Sequence, residues 1–479
     1  MPILPHTRER TLELLHQCNR EVQETFCYAL YTVTRTNLLR VAGNFVKVTS
    51  FDSAQDLLLY YIKQPLIVHS TAVNLIWLQT LLLMIIDADT RGPDNFVLKD
   101  GIPKHTLVQA ASKLGYDLAK SQGQLKNKRS ADPDVDSDAN LTRRNWVSLI
   151  ILSRWYAISV ADGTVSGGQE IGGREDERVV GQITTGIASY TTFLSEIVTL
   201  ATVEHNVCQT NTGLGRMVGA NLVASLERLG EMEDVFKVHE LPENATTRSL
   251  FDSLQTQLYW TVRLLIKRHV FVYSPYEIIY CAQEVINEMH RATLQKRSPT
   301  PFDLHSLALA SMTLLEATVL PEHANECWAS IEKVEEILDH RAKAASEPAE
   351  FGNIFGTPGW DAKIRVFLEW RRVKSQESQL HESVGGGKPG SSQPPVMGPN
   401  EQRSLQHLAD LAVGAEGSVS QNASSTPPPG LDQGETSANL APQLAQSQGG
   451  VGRVVVDFAM LTKEGYLNVF SGLIYRRAR

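Results

Sequence analysis

No Phe, Trp or Tyr occurs between Arg371 and Asp457, and this gap decides where a chain of 479 residues can build a core. In place of aromatics the stretch carries Gly385-Gly386-Gly387, Pro394-Pro395, Pro427-Pro428-Pro429 and many Ser and Gln. Such a composition buries too little apolar area to offset the entropy of ordering the backbone. Three regions are therefore expected. Residues 1–372 form a folded domain, residues 373–450 a disordered low-complexity linker with at most a short helix at Leu405–Val413, and residues 451–479 a C-terminal docking or activation segment. That last segment regains apolar character through Val455, Phe458, Leu461, Tyr466, Leu467, Val469 and Phe470. The spacing of Leu461, Leu467 and Phe470 is not a clean helical stripe, and Gly465 weakens a helix by about 1 kcal/mol. Docking on the folded core is the favoured expectation.

Residues 1–372 read as helix almost throughout. Leu107, Ala111, Leu114 and Leu118 recur at helical spacing after Pro103, as do Leu254, Leu258, Val262 and Leu265. Pro275 opens a helix through Ile278, Ile279, Ala282 and Ile286, and Pro321 another through Trp328, Ile331, Val334 and Leu338. The first segment, Thr7 to Thr34, places Leu12, Leu15, Val22, Phe26 and Leu30 within reach of one face. Polar or glycine-bearing stretches at 90–101, 122–140, 163–177 and 239–247 read as loops. No useful run alternates apolar and polar residues, and no fixed-period repeat is evident. The expected fold is all-α, a large irregular multi-helix domain followed by a disordered tail.

Val73–Ile86 and Trp146–Val160 are greasy but shorter than the roughly 20 residues a membrane span needs, so both read as buried core helices. The first ten residues hold no apolar run, which argues against a secretory signal. Five scattered cysteines, Cys18, Cys27, Cys208, Cys281 and Cys327, contain no Cys-x-x-Cys pair. They suit a reducing compartment rather than a disulfide or cysteine–zinc framework. A net charge of −8 argues against gripping nucleic acid by charge alone.

Signals for chemistry are weak. The run from Asp132 to Asp138 begins like a calcium loop, but Ser137 stands where Gly is needed and Arg143 where Glu is needed, so it reads as a solvated loop. Asp87 and Asp89 end an apolar helix, as the magnesium-binding aspartates of all-helical prenyl-transfer enzymes do. No denser acidic cluster or second motif accompanies them, and they read as helix-end polarity. Gly213-Leu-Gly215 with Gly219 lacks the strand of a dinucleotide fingerprint, and Gly167–Gly173 lacks the Lys-Ser/Thr ending of a phosphate loop. The histidines show no metal-binding spacing and no Gly-x-Ser-x-Gly elbow occurs. No catalytic, cofactor-binding or metal-binding residue is expected, and the chain reads as a non-enzyme.

One constellation is specific. Arg143-Arg144-Asn145-Trp146-Val147-Ser148-Leu149, an apolar run, then Ser153-Arg154-Trp155 resembles the signature helix in the middle homology region of the fungal zinc-cluster transcription factors. Upstream, Leu78-Gln79-Thr80-Leu81-Leu82 resembles that family's Gln-Thr-Leu-Leu helix. Ala110-Ala111-Ser112-Lys113-Leu114-Gly115 resembles its Leu-Gly helix, and Pro2-Ile3-Leu4-Pro5 the start of its region. The order and spacing agree over residues 1–165. Two departures stand out: Ser153 occupies the usual acidic position, and the Gly-Arg-Pro-like turn is reduced to Gly163.

The resemblance implies a helical regulatory module of a nuclear regulator of RNA polymerase II transcription. Leu461–Phe470 also looks similar to tails of members that control sugar transport and carbon-source use. The family's six-cysteine, two-zinc DNA reader is missing here, so no cofactor is expected in this chain. The gene product is either truncated or lacks a DNA reader of its own. Implied partners are the transcription machinery or co-regulators and a second copy as homodimer, with DNA reached only through a missing N-terminal domain and no membrane. The rival readings are a helical scaffold or co-regulator that does not bind DNA, and an all-α terpene-type enzyme. The Trp146 face of the signature helix is expected in the core, with a carboxylate partner for Arg154.

Overall fold

The computed structural model describes residues 2–38, 52–63, 69–91, 102–121, 133–163, 174–206, 212–236, 245–270, 274–297, 300–346, 358–384, 456 and 458–469. The chain divides into two units, residues 1–387 together with 458–479, and residues 388–457. The second unit lies almost wholly outside the described residues, as does the expected linker from residue 385 on with its short helix at 405–413; residues 373–384, expected in that linker, instead continue the helix Pro358–Val384.

The described part of the first unit is all-α, with no strand. Its helices are α1 (Arg8–His16), α2 (Arg20–Leu38), α3 (Asp52–Lys63), α4 (Thr71–Arg91), α5 (Lys104–Ser121), α6 (Asp138–Val160) and α7 (Arg174–Val180). They continue with α8 (Gln182–Asn206), α9 (Thr212–Phe236), α10 (Ala245–Val270), α11 (Pro275–Leu294), α12 (Pro301–Ala317), α13 (Ala324–Ser346) and α14 (Pro358–Val384). A short helix, Met460–Lys463, follows near the C-terminus.

Two helices are apolar on every side and sit at the centre. A helix of that kind has no face to offer water, so it must be packed all round. The first is α6, in which every residue from Val147 to Ser159 is buried. It packs against α4, α5, α7 and α8. The second is α12, buried from Phe302 to Leu315, which touches α4, α10, α11, α13 and α14. Around α4 gathers a core from α1 to α6, including Leu14, Phe26, Leu75, Leu78, Leu107 and Leu114.

The window Thr71–Thr90 in α4 is long and apolar enough to cross a membrane by length and composition, more than the 73–86 stretch that the sequence alone marks out. Most of it, 72%, is buried inside the unit, and Gln79 within it donates to the Ile3 carbonyl at 3.2 Å. It is a core helix here.

Three local expectations are corrected. The first segment is not one helix. Asn19 caps α2 by accepting from the Val22 N–H at 3.0 Å, while the Gln23 amide donates to the Leu15 and Cys18 carbonyls at the end of α1. The break leaves Leu12 and Leu30 exposed and puts Leu14 in the core. Helix α13 starts at Ala324, because Pro321 to His323 form turns rather than a first helical turn. Trp146 is only partly buried, lying across Gly115, where a Cβ would fall 2.9 Å from its ring. The tryptophan of α6 that lies fully in the core is Trp155, against Phe302 and His305. Trp155→Ala should therefore cost about 3–5 kcal/mol and Trp146→Ala clearly less, read as urea midpoints of the two variants.

Candidate functional site

The site grows from the last turn of α4. Asp89 is buried there, and its carboxylate accepts from the Lys104 ammonium at the first turn of α5. Lys104 also lies over the Tyr156 ring of α6, 5.0 Å from its centroid. From α12, His305 Nε2 faces the same carboxylate at 3.6 Å. From α14, Trp360 Nε1 donates to the Asp89 carbonyl at 2.8 Å. The Tyr466 hydroxyl, from the C-terminal segment, lies 2.7 Å from His305 Nδ1. Trp155, Trp360 and Tyr466 enclose the imidazole with ring centroids 5.4–5.9 Å away. One cluster thus joins five helices and the C-terminal segment.

Burial alone would raise the Asp89 carboxyl, but the Lys104 charge, helped by the His305 ring N–H that faces it, outweighs burial and holds it below the ordinary carboxylate value. Burial pushes His305 down, beyond what Asp89 restores. Its imidazole is therefore neutral near pH 7. With a carboxylate opposite Nε2, the proton is assigned to Nε2 and Nδ1 accepts from Tyr466. Burial, helped by the Asp89 charge, raises the Tyr466 phenol well above its ordinary value, so it remains a donor. The chemistry of the cluster is that of a lock: its donors and acceptors are paired, except for His305 Nε2, which faces the Asp89 carboxylate at 3.6 Å without a hydrogen bond. Among the described residues no group of three or more His, Cys, Asp or Glu could hold a metal ion.

The C-terminal segment does more than reach His305. Phe458 lies under the Arg268 guanidinium at 5.4 Å, and Arg268 itself donates to Glu316 at 2.7 Å and Thr313 at 2.8 Å. Phe458, Leu461, Tyr466 and Leu467 are all buried. Gly465, at φ 81°, passes so close to the end of α6 that a Cβ would sit 2.5 Å from the Val160 backbone. It is a turn glycine that permits close approach, not a weak point in a helix. Asn468 then donates to the Val160 carbonyl at 3.0 Å, satisfying one of the orphan acceptors of a helix end.

The opposite end of α6 is also clasped. Asp136 accepts from the His6 N–H at 2.9 Å, the Thr7 N–H at 3.2 Å and the buried Arg144 guanidinium at 2.6 Å. Arg10 adds a bond to the Asp136 carbonyl and one to Asp138. Although burial opposes it, these donors hold the Asp136 carboxyl below its usual range.

The acidic run is thus no uniformly solvated loop. Asp134 is exposed, but Asp136 is a buried anchor. Asp87 and Asp89 are buried as well, rather than simple helix-end polarity. On α6 the Arg144 guanidinium pairs with the Asp136 carboxylate. Arg154 donates to Thr192 of α8, with the Glu196 carboxylate nearby. Gly213, Gly215 and Gly219 lie inside α9, and the glycines of 167–173 fall outside the described residues.

Asp89, Lys104, His305 and Tyr466 went unmarked as a group in the sequence. The one available signal was a lone histidine inside the apolar run from Phe302 to Leu315.

Over 362 residues, 72% of this chain, the sequence is 22% identical to an uncharacterized transcriptional regulatory protein of Schizosaccharomyces pombe. The match covers 37% of that protein, so this chain spans little more than a third of its relative's length. No family model and no solved structure matches the chain.

Acidification should destabilise the unit in two steps. His305, lowered in the folded state, takes up a proton more readily when unfolded, so its contribution falls as pH drops below about 6.5. Asp89, also lowered, contributes above its unfolded value of about 4 and is lost below that. Urea midpoints measured from pH 7 to pH 5 should fall in the wild type. In His305→Asn the midpoint should start lower and change less over that range.

Proposed function

We propose that this chain is the helical regulatory region of a fungal-type transcription regulator, acting through protein contacts and without a chemical step. The carrying observation is the 362-residue similarity to a transcriptional regulatory protein. Its support from the residues is the ordered set of motifs in α4, α5 and α6 that resembles the middle homology region of zinc-cluster factors. In this reading Gln79, Gly115 and Arg144 have structural work: Gln79 holds the N-terminal segment, Gly115 seats Trp146, and Arg144 pairs with Asp136. The motif marks a packed core, as a regulatory fold requires, and the locked Asp89–His305 cluster suits a scaffold better than a reaction centre. Nuclear location and co-regulator partners belong to the same proposal. Nothing beyond the resemblance of Leu461–Phe470 supports a role in carbon-source control.

The test is a fusion of the chain to a heterologous DNA-binding domain in a yeast reporter strain. A several-fold change in reporter output, up or down, is expected relative to the DNA-binding domain alone; no change would overturn the reading. The isolated chain, at net charge −8, should bind duplex DNA only nonspecifically and lose that binding as salt is raised. Sequence-dependent, sub-micromolar binding in a titration would contradict this.

A further inference from the structure

We propose that the seat formed by the end of α6, by α8, α10 and α12 is a peptide-docking site, and that residues 458–469 are its exchangeable ligand, held in cis. The proposal concerns the chain's own physical states and stands whether or not the chain regulates transcription.

The helices that line the seat pack on one another directly, α6 on α8, α8 on α10 and α10 on α12, through contacts that do not involve the segment. Arg268 has its polar partners Thr313 and Glu316 from α12 independently of Phe458. His305 has Asp89 independently of Tyr466. The short helix Met460–Lys463 packs on α8 and α10. In the chain it is separated from α14 by residues 385–457, so covalent continuity does not force it into place. Tethering does make the docking intramolecular, and a modest affinity then suffices to fill the seat.

The contacts are those by which a peptide is recognised. An aromatic ring stacks under a guanidinium already fixed by two other bonds. One tyrosine hydroxyl reads one ring nitrogen of a neutral histidine. A glycine at positive φ allows backbone to meet backbone at Val160, and an asparagine caps the carbonyl there. Between these, Leu461 and Leu467 fill apolar space. The ligand is therefore a short segment with the order Phe, Leu, Gly-Tyr-Leu-Asn. Burial of its four large side chains is opposed by the entropy of ordering the segment, which leaves the balance open to exchange.

The experiment uses the full chain with a site-specific protease sequence inserted within residues 388–450. After cleavage, the C-terminal fragment should co-elute with the helical unit in size-exclusion chromatography. An excess of synthetic peptide covering 456–470 should displace it. Tyr466→Phe, which removes one hydrogen bond, should speed release roughly two- to tenfold. Gly465→Ala should abolish retention, because its Cβ has no room against Val160. Both changes lie in the fragment, so circular dichroism of the helical unit should be unaltered. Two results would overturn the proposal. One is a wild-type fragment that leaves only when urea unfolds the helical unit, which would make it permanent core. The other is a wild-type fragment lost on cleavage as readily as Gly465→Ala.

Discussion

The buried Asp89–Lys104 pair is the contact on which the arrangement of helices most depends. Taking two charges out of water is costly, and their attraction repays this only with good geometry and further hydrogen bonds. Here the geometry requires the end of α4, the start of α5 and α12 to meet at one point. Trp360 brings α14 to the same place through the Asp89 carbonyl. Displacing any of these elements would leave a buried charge or a buried donor unsatisfied. The pair therefore contributes less to net stability than to the selection of one packing among many that apolar helices could adopt.

Such selection matters because the two central helices carry little directional information. Leu, Ile and Ala on every side of α6 and α12 drive burial, but hydrophobic burial is non-directional. Register comes from the polar exceptions. Arg144 meets Asp136, Arg154 meets Thr192, Arg268 meets Thr313 and Glu316, and Arg297 meets Asp303 and Gln257. Each fixes one helix against a neighbour, or against the loop that precedes it.

Helix α6 is also where residues 6–7 and 465–468 are held. Backbone N–H groups of His6 and Thr7 bind Asp136, just before its first turn. Gly465 and Asn468 meet Val160, its last residue. A helix buried along its length still has unsatisfied ends: Ser137 accepts from the Asn140 N–H in the first turn, and Asn468 donates to the Val160 carbonyl at the last.

Local pattern in the sequence determined the helical class, the apolar stripes of α5, α10 and α11, and the central position of α6, since each follows from the spacing or density of apolar residues over a turn or two. It also marked the return of core-forming residues at Phe458. Tertiary structure alone decided how the polar residues pair. Asp89 and His305 lie on helices far apart in the chain, Tyr466 is 161 residues from His305, and Asp136 is 130 residues from His6. No periodicity links such positions, because a hydrogen bond acts over about 3 Å of space and is indifferent to the length of chain between its partners. For the same reason Trp146 and Trp155, alike in the sequence of one helix, could be told apart only by their neighbours: Gly115 leaves room for the first to lie partly buried across it, and Phe302 and His305 enclose the second.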